Sequence, residues 1–236
     1  MSIKYTITLH NDHGKDGRYA FFVDPPQISE SQEPLTAPEV FTNAWISTFA
    51  PNGSTHAITT TRDMFAWCGT APKPPCVGVT VHEGAIQPAA LGYKMEEEIT
   101  PGGTFEMIVD RGVPDLIPIP SSAKAAAYKI ETGSDLPTPN YKYLFGLGMT
   151  NGCGLVSPVA SALAVNNMSI NVMPSMKFYV CQSDTQTGEI IDFPSVSKKA
   201  GVIDFSSWPG AGKDAATVVH KNNGTFDIMY HESYKN

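Results

Sequence analysis

A period of two runs through this chain. Ile3, Tyr5, Ile7 and Leu9 alternate with Lys4, Thr6, Thr8 and His10, and strict apolar/polar alternation describes a strand with one face toward a core and one toward water. The same alternation, or a β-branched run, returns over residues 18–23, 40–49, 55–61, 76–82, 86–93, 104–110, 141–149, 160–172, 176–181, 217–220 and 225–231. No amphipathic helix of three turns emerges; residues 123–129, behind Pro118 and Pro120, have room for a turn or two. Many short strands between Gly, Pro, Asn and Asp clusters predict an all-β fold: an antiparallel β-sandwich or barrel with long Pro-rich loops and little helix.

Turn chemistry suggests how the strands connect. The cluster from His10 to Gly17 predicts an N-terminal hairpin, and Pro51-Asn-Gly-Ser54 predicts a second one joining 40–49 to 55–61. Lys221-Asn-Asn-Gly224 carries the Asn-Gly hairpin signal. Proline lacks the N–H that a central strand needs. Residues 24–38, with Pro25, Pro26, Pro34 and Pro38, are therefore expected to be a loop, and residues 111–139, with five prolines, a long crossover between two β halves. No flexible, strongly polar linker interrupts the chain, so residues 1–236 are expected to form one domain.

Charge and cysteine usage narrow the partners. The net charge is -7, arginine occurs only at 18, 62 and 111, and no cationic cluster exceeds Lys198-Lys199. Nucleic acid, which is held by clustered cations, is excluded on this reading, and anionic membrane surfaces are disfavoured. The N-terminal segment alternates where a signal peptide would run apolar, and no apolar stretch approaches the ~20 residues of a membrane span; a cytoplasmic location is expected. Cys68, Cys76, Cys153 and Cys181 lack zinc or redox spacing. Free, buried thiols are favoured over a Cys68–Cys76 bridge, because intracellular thiols stay reduced.

No motif demands a cofactor. Pro209-Gly-Ala-Gly-Lys-Asp214 lacks the first glycine and the hydroxyl residue of a phosphate loop. His10 and His13 have no identifiable third metal ligand. His82 and Glu83, adjacent on a strand, point to opposite faces. Cys153, between Gly152 and Gly154, fits a glycine-rich turn with an inert thiol better than an exposed nucleophile. The segment Arg62-Asp-Met-Phe-Ala-Trp-Cys-Gly69 concentrates a guanidinium, a carboxylate and a Trp at a strand end, groups that offer a ligand a fork of donors and a flat face. Asn43 shares by parity the Phe41/Trp45 face, where a buried amide either braces backbone or lines a polar spot in a cavity. Arg62 and Asn43 are thus the candidate catalytic residues, with Trp45, Trp67, Asp63 and Tyr143 as substrate-binding residues and no metal.

Two stretches, Tyr5-Thr-Ile-Thr-Leu-His-Asn-Asp12 leading to Tyr19-Ala-Phe-Phe-Val-Asp-Pro-Pro26, and Val40-Phe-Thr-Asn-Ala-Trp45 leading to Phe65-Ala-Trp-Cys-Gly69, resemble a group of uncharacterised all-β proteins found largely in fungi. The resemblance covers about the first third of the chain. It implies kinship with cofactor-free pathway proteins of the hetero-Diels–Alderase type. The function expected is a cofactor-independent enzyme that binds a small hydrophobic metabolite and directs its cyclisation or cycloaddition by orientation and by hydrogen bonds where charge develops. This reading requires an apolar cavity of about 300–1,000 Å³ near Arg62, Trp45 and Trp67. The alternative is a carbohydrate-binding, lectin-like protein, which would show a filled core and an exposed Trp67 or Trp208 beside Asp63 or Asp204. Exposed strand edges would also allow a homodimer.

Overall fold

The computed structural model describes residues 4–30, 38–96, 98–151 and 153–232. Ile3, the segment holding Pro34, Glu97 and Gly152 lie outside these residues. In chain order the strands are β1 (Lys4–Asp12), β2 (Gly17–Val23), β3 (Gln27–Glu30), β4 (Val40–Asn43), β5 (Ile46–Ala50), β6 (Thr55–Thr61), β7 (Met64–Thr70), β8 (His82–Ala89), β9 (Tyr93–Met95), β10 (Glu98–Thr100), β11 (Gly102–Asp110), β12 (Val113–Ala123), β13 (Tyr128–Thr132), β14 (Tyr143–Thr150), β15 (Val156–Leu163), β16 (Ser169–Met173), β17 (Lys177–Gln182), β18 (Ile190–Ile191), β19 (Gly201–Asp204), β20 (Ala215–Lys221) and β21 (Phe226–His231). One short helix, α1 (Phe193–Val196), runs on into a 3₁₀ turn over Ser197–Lys199.

The strands form four main sheets, ordered β21-β20-β1-β6, β19-β17-β2-β5, β12-β11-β13-β16-β3 and β18-β4-β15-β14-β7-β8, with β9 and β10 as a separate hairpin. Among the described residues no barrel closes, and the all-β expectation holds. Two pairings, β1 with β20 and β11 with β13, are parallel, where an antiparallel fold was expected throughout. One cluster of buried apolar side chains draws on all four sheets, including Ile7, Phe21, Phe105 and Phe145. The six-stranded sheet is covered on both faces, since Phe145 and Leu147 of β14 enter that cluster while Leu144 joins Trp67, Val79 and Ile190 in another. That explains why β14 reads as a continuous apolar run.

The two N-terminal hairpins do not form. β1 and β2 belong to different sheets, and so do β5 and β6. Tyr19, Phe21 and Val23 of β2 face the main core, whereas Ala20 and Phe22 pack with Tyr179 and Ile191. β1 is apolar on one face only, so pairing it with β2 would leave Phe22 in water. Residues 40–49 are not one strand either: the chain leaves β4 at Ala44, whose N–H bonds Glu189 (2.9 Å), and enters the second sheet at Trp45, whose N–H bonds Phe21 (2.8 Å). The face changes there, and Phe49 is 54% exposed. Both sheet changes happen side by side and are tied together: Asn11 N–H bonds the Ser54 carbonyl, and Gly53 N–H bonds the Asn11 carbonyl. Strands that switch sheets at bends are a standard corner of packed sheets.

Other expectations are corrected as well. Residues 111–139 hold β12 and β13 rather than a crossover loop. β12 is an edge strand, where prolines can turn their missing N–H away from the ladder; it is joined to β11 by Arg111-Gly112, both at positive φ (49° and 84°), as a two-residue hairpin loop requires. Residues 124–127 form no helical turn. Residues 76–81 form no strand beyond a single bridge at Thr80, and β8 begins only at His82; residues 160–172 divide into β15 and β16 around Asn167, which sits at φ 57°. The hairpin of β20 and β21 is present as expected.

Between the first two sheets, His220 of β20 is buried. Its ring stacks on His13 (centroids 4.3 Å) and on Phe226 (4.3 Å), and its Nδ1 shares a hydrogen bond with the Tyr19 hydroxyl (2.8 Å). Next to it, Lys221 is neutralised by Asp227. Burial, followed by the charge of His13, pushes the His220 pKa below its ordinary 6.5. The unfolded chain therefore binds the proton first. Stability is expected to be full above pH 6.5 and to fall as the pH drops from there toward the depressed native value, by at most about 1.4 kcal/mol per pH unit for this one proton. Urea titrations between neutral pH and mildly acidic pH measure the slope, and His220→Gln should flatten it; an unchanged slope in that variant would assign the effect elsewhere.

Candidate functional site

The structure separates the six residues singled out in the sequence. Arg62 and Asp63 are exposed in the turn between β6 and β7. Trp45 lies in the main core against Phe178 (5.6 Å). Trp67 is buried in the second cluster on the other face of the six-stranded sheet, where its indole N–H reaches across β14 to the Ala160 carbonyl (3.0 Å). Tyr143 is buried, with its hydroxyl directed at the Gly112 carbonyl (3.4 Å). The void against Phe145, Gly146 and Ala160 measures about 10 Å³, scarcely room for one water, and neither Trp is among its lining residues. Arg62, Trp45 and Trp67 thus do not build a common pocket, because both indoles fill core layers.

Asn43 is fully buried, and its amide is spoken for. Nδ2 donates to the Gly188 carbonyl (3.1 Å), and Oδ1 accepts the Ser161 hydroxyl (2.8 Å). It braces backbone, the first of the two roles open to it. What it braces is the wall of a real cleft. Gly188 N–H bonds Ala44 O (2.7 Å), Ile190 N–H bonds Val79 O (2.8 Å), and Gly78 N–H bonds Ile190 O (2.9 Å). These bonds clamp the 75–79 segment, which follows Pro72 and Pro74, onto β18 and β18 onto β4. The resulting cleft has a volume of about 590 Å³ and lies along the β18 edge of the six-stranded sheet. Phe41, Val77, Ile191 and Phe193 provide apolar walls, and Thr42 and Cys76 add polar atoms.

The charged residues of the cleft are Glu39 and Asp192, both acids, so its field disfavours anions. Asp192 caps α1, accepting the Ser195 N–H at 3.3 Å, and Phe193 is wedged edge-on against Tyr179 (5.2 Å). Backbone hydrogen bonds from Gly78 to Ile190 and from Ile190 to Val79 hold the 75–79 segment of this wall against β18. Cys76 presents its thiol there, unbridged to Cys68. Cys68 is buried and its pKa is pushed up to about 11, chiefly by burial. Of the four free thiols two are buried and two, Cys76 and Cys153, are exposed, which corrects the expectation that all are buried. Among the described residues no group of His, Cys, Asp and Glu could hold a metal, and no helix is long and apolar enough to cross a membrane. The cleft residues escaped sequence reading because they come from four distant stretches, Pro25, 39–42, 75–77 and 190–194. The one local signal was Asp192-Phe-Pro194, a cap followed by proline at a helix start.

A family model described as RhiA matches residues 2–231. No curated protein and no solved structure matches the chain.

Proposed function

The chain belongs to the RhiA family, and we propose that it is a single-domain, cytoplasmic protein that binds a small hydrophobic molecule in the cleft along β18. The observation that carries this reading is the cleft itself: about 590 Å³, within the range of small-molecule sites, with aromatic and aliphatic walls. A neutral ligand suits it best, since Glu39 and Asp192 repel anions. Cyclisation of a reactive metabolite without a cofactor is the catalytic extension of this proposal, moved to this cleft because Arg62, Trp45 and Trp67, where it was expected, build no common pocket and do not line this one. Rigid walls supply orientation, and Thr42 or Cys76 would contact a polarised oxygen; Asn43 then acts as a positioning residue rather than a catalytic one.

Nile red, a neutral fluorescent probe, tests the binding step. It is expected to bind saturably, and Val77→Trp, which fills the cleft mouth, should weaken it about tenfold. Val77 is 62% exposed, so the substitution should leave stability within about 0.5 kcal/mol. Binding that ignores this substitution would remove the cleft from consideration.

A second reading has one specific observation behind it. Trp208 is 89% exposed, close in sequence to Asp204, which fits a shallow sugar site. However, the Asp204 carboxylate already accepts the Ser206 hydroxyl (2.6 Å) and the Ser207 hydroxyl (2.7 Å). Burial raises its pKa, but these bonds outweigh that and hold it below the ordinary value. Its acceptor capacity is largely used, so carbohydrate binding ranks second. A glycan array on which Trp208→Ala abolishes a signal would reverse that order.

A further inference from the structure

The helical segment that opens in the cleft at Phe193 closes in another one. α1 and the 3₁₀ turn end at Lys198 and Lys199, and these two lysines, with Ala200, Gly201, Val202, Gly224, Thr225, Phe226 and Ile228, line a second cleft of about 420 Å³. It lies between β19 and β21, the outermost strands of the first two sheets. Here the sandwich is open: Val202 is 37% exposed, and Phe226 and Ile228 are only half-buried. The floor is fixed in place. A Cβ on Gly201 would stand 2.8 Å from that of Phe226, so glycine there lets Phe226 close over β19, while His220 stacks on the same ring at 4.3 Å.

The two clefts differ in charge. The first carries acids; the second carries two lysines and no acid along its lining. Neither lysine has an ion-pair or hydrogen-bond partner among the described residues. Lysines at the end of a helical turn are favoured by its dipole, but a dipole accounts for neither the open apolar seam nor the glycine that shapes it. A cationic rim over an apolar floor recognises a negative head on an apolar body. We propose that this seam binds a small amphipathic carboxylate, whose head is held by Lys198 and Lys199 and whose chain lies along Val202, Phe226 and Ile228.

Octanoate is the probe, used below its micellar concentration and followed by amide NMR shifts and calorimetry. Saturable binding with shifts at residues 198–202 and 224–228 is expected. Lys198→Ala/Lys199→Ala should weaken it about tenfold, and added salt should weaken it as well. Octanol, with the same body and no charge, should bind about tenfold more weakly. Inorganic phosphate should not displace octanoate. Val77→Trp, which blocks the first cleft, should leave octanoate binding unchanged, so failure of that site is separable from failure of this one. Both lysines are exposed, so the double variant should unfold at the parent temperature, which excludes misfolding as the cause of lost binding. Equal affinity for octanol, displacement by phosphate, or indifference to the double substitution would each overturn the proposal.

Discussion

Gly146→Val is expected to destabilise the protein by about 3 kcal/mol or more, the upper range for forcing volume into a packed interior. Gly146 lies in β14, inside the six-stranded sheet. A Cβ there would stand 2.0 Å from the Ala160 carbonyl oxygen and 3.0 Å from the Ser161 Cα. Both are backbone atoms, so no side chain can swing away to make room. Ala160 is held in place from two directions. Its carbonyl accepts the Trp67 indole N–H, and the register slips just past it, from Leu147↔Ala160 to Gly148↔Pro158, a bulge that fixes the local bend. The Gly146 carbonyl meanwhile accepts the buried Tyr128 hydroxyl (2.9 Å) from the facing sheet, so β14 cannot retreat without breaking that bond. A loss of this size is a large share of the 5–15 kcal/mol typical of a folded domain. Chemical unfolding of Gly146→Ala and Gly146→Val measures it, with Gly154→Ala, which meets open space at its Cβ, as a comparison for backbone strain at positive φ. A midpoint for Gly146→Ala equal to that of the parent would show that the sheet can yield there after all.

The same region shows what was legible in the sequence. Alternation in β1, the Asn-Gly turn before β21 and the apolar run of β14 are local signals, and each names its element. The partner of a strand is not local. β1 is flanked by β20, about 200 residues away, and by β6, and the turn residues between Asp12 and Gly17 look alike whether the chain folds back on itself or crosses to another sheet. Proline misled for a related reason. It breaks a ladder only where its missing N–H faces a partner, and β12 is an edge strand. The candidate site suffered from an ambiguity of aromatic residues: Trp45 and Trp67 have the composition of a binding wall and the positions of core fillers. What decides between those roles is the packing partner, Phe178 in one case and the Ala160 carbonyl in the other, and neither is near in sequence. Asn43 was readable as buried, but its partners, Gly188 and Ser161, lie more than a hundred residues away.

Asn11→Ala is expected to cost about 2–4 kcal/mol, because one buried amide holds both sheet changes. Asn11 has no exposed surface. Its Nδ2 donates to the carbonyls of Ala50 (2.8 Å) and Lys15 (2.9 Å), and its Oδ1 accepts the His13 N–H (3.1 Å). Ala50 ends β5 and Lys15 precedes β2, so the amide fastens the two neighbouring corners at which the chain passes between the first and second sheets. Removing it leaves two carbonyls and an N–H without their partner, at about 1–3 kcal/mol for each such group that stays buried. Asn52→Ala is the natural comparison: it serves the same corners, accepting Gly14 N–H at 2.8 Å, but in solvent, where water replaces the lost bond at little cost. The Asn11 variant should also disturb His220, since the Oδ1 that it removes positions His13, the ring stacked on that imidazole. Its unfolding midpoint and its acid slope should therefore change together, whereas Asn52→Ala should move neither appreciably. If the two variants prove equally stable, the corners are held by their backbone bonds, Asn11 N–H to Ser54 and Gly53 N–H to Asn11, and the amide merely occupies the space between them.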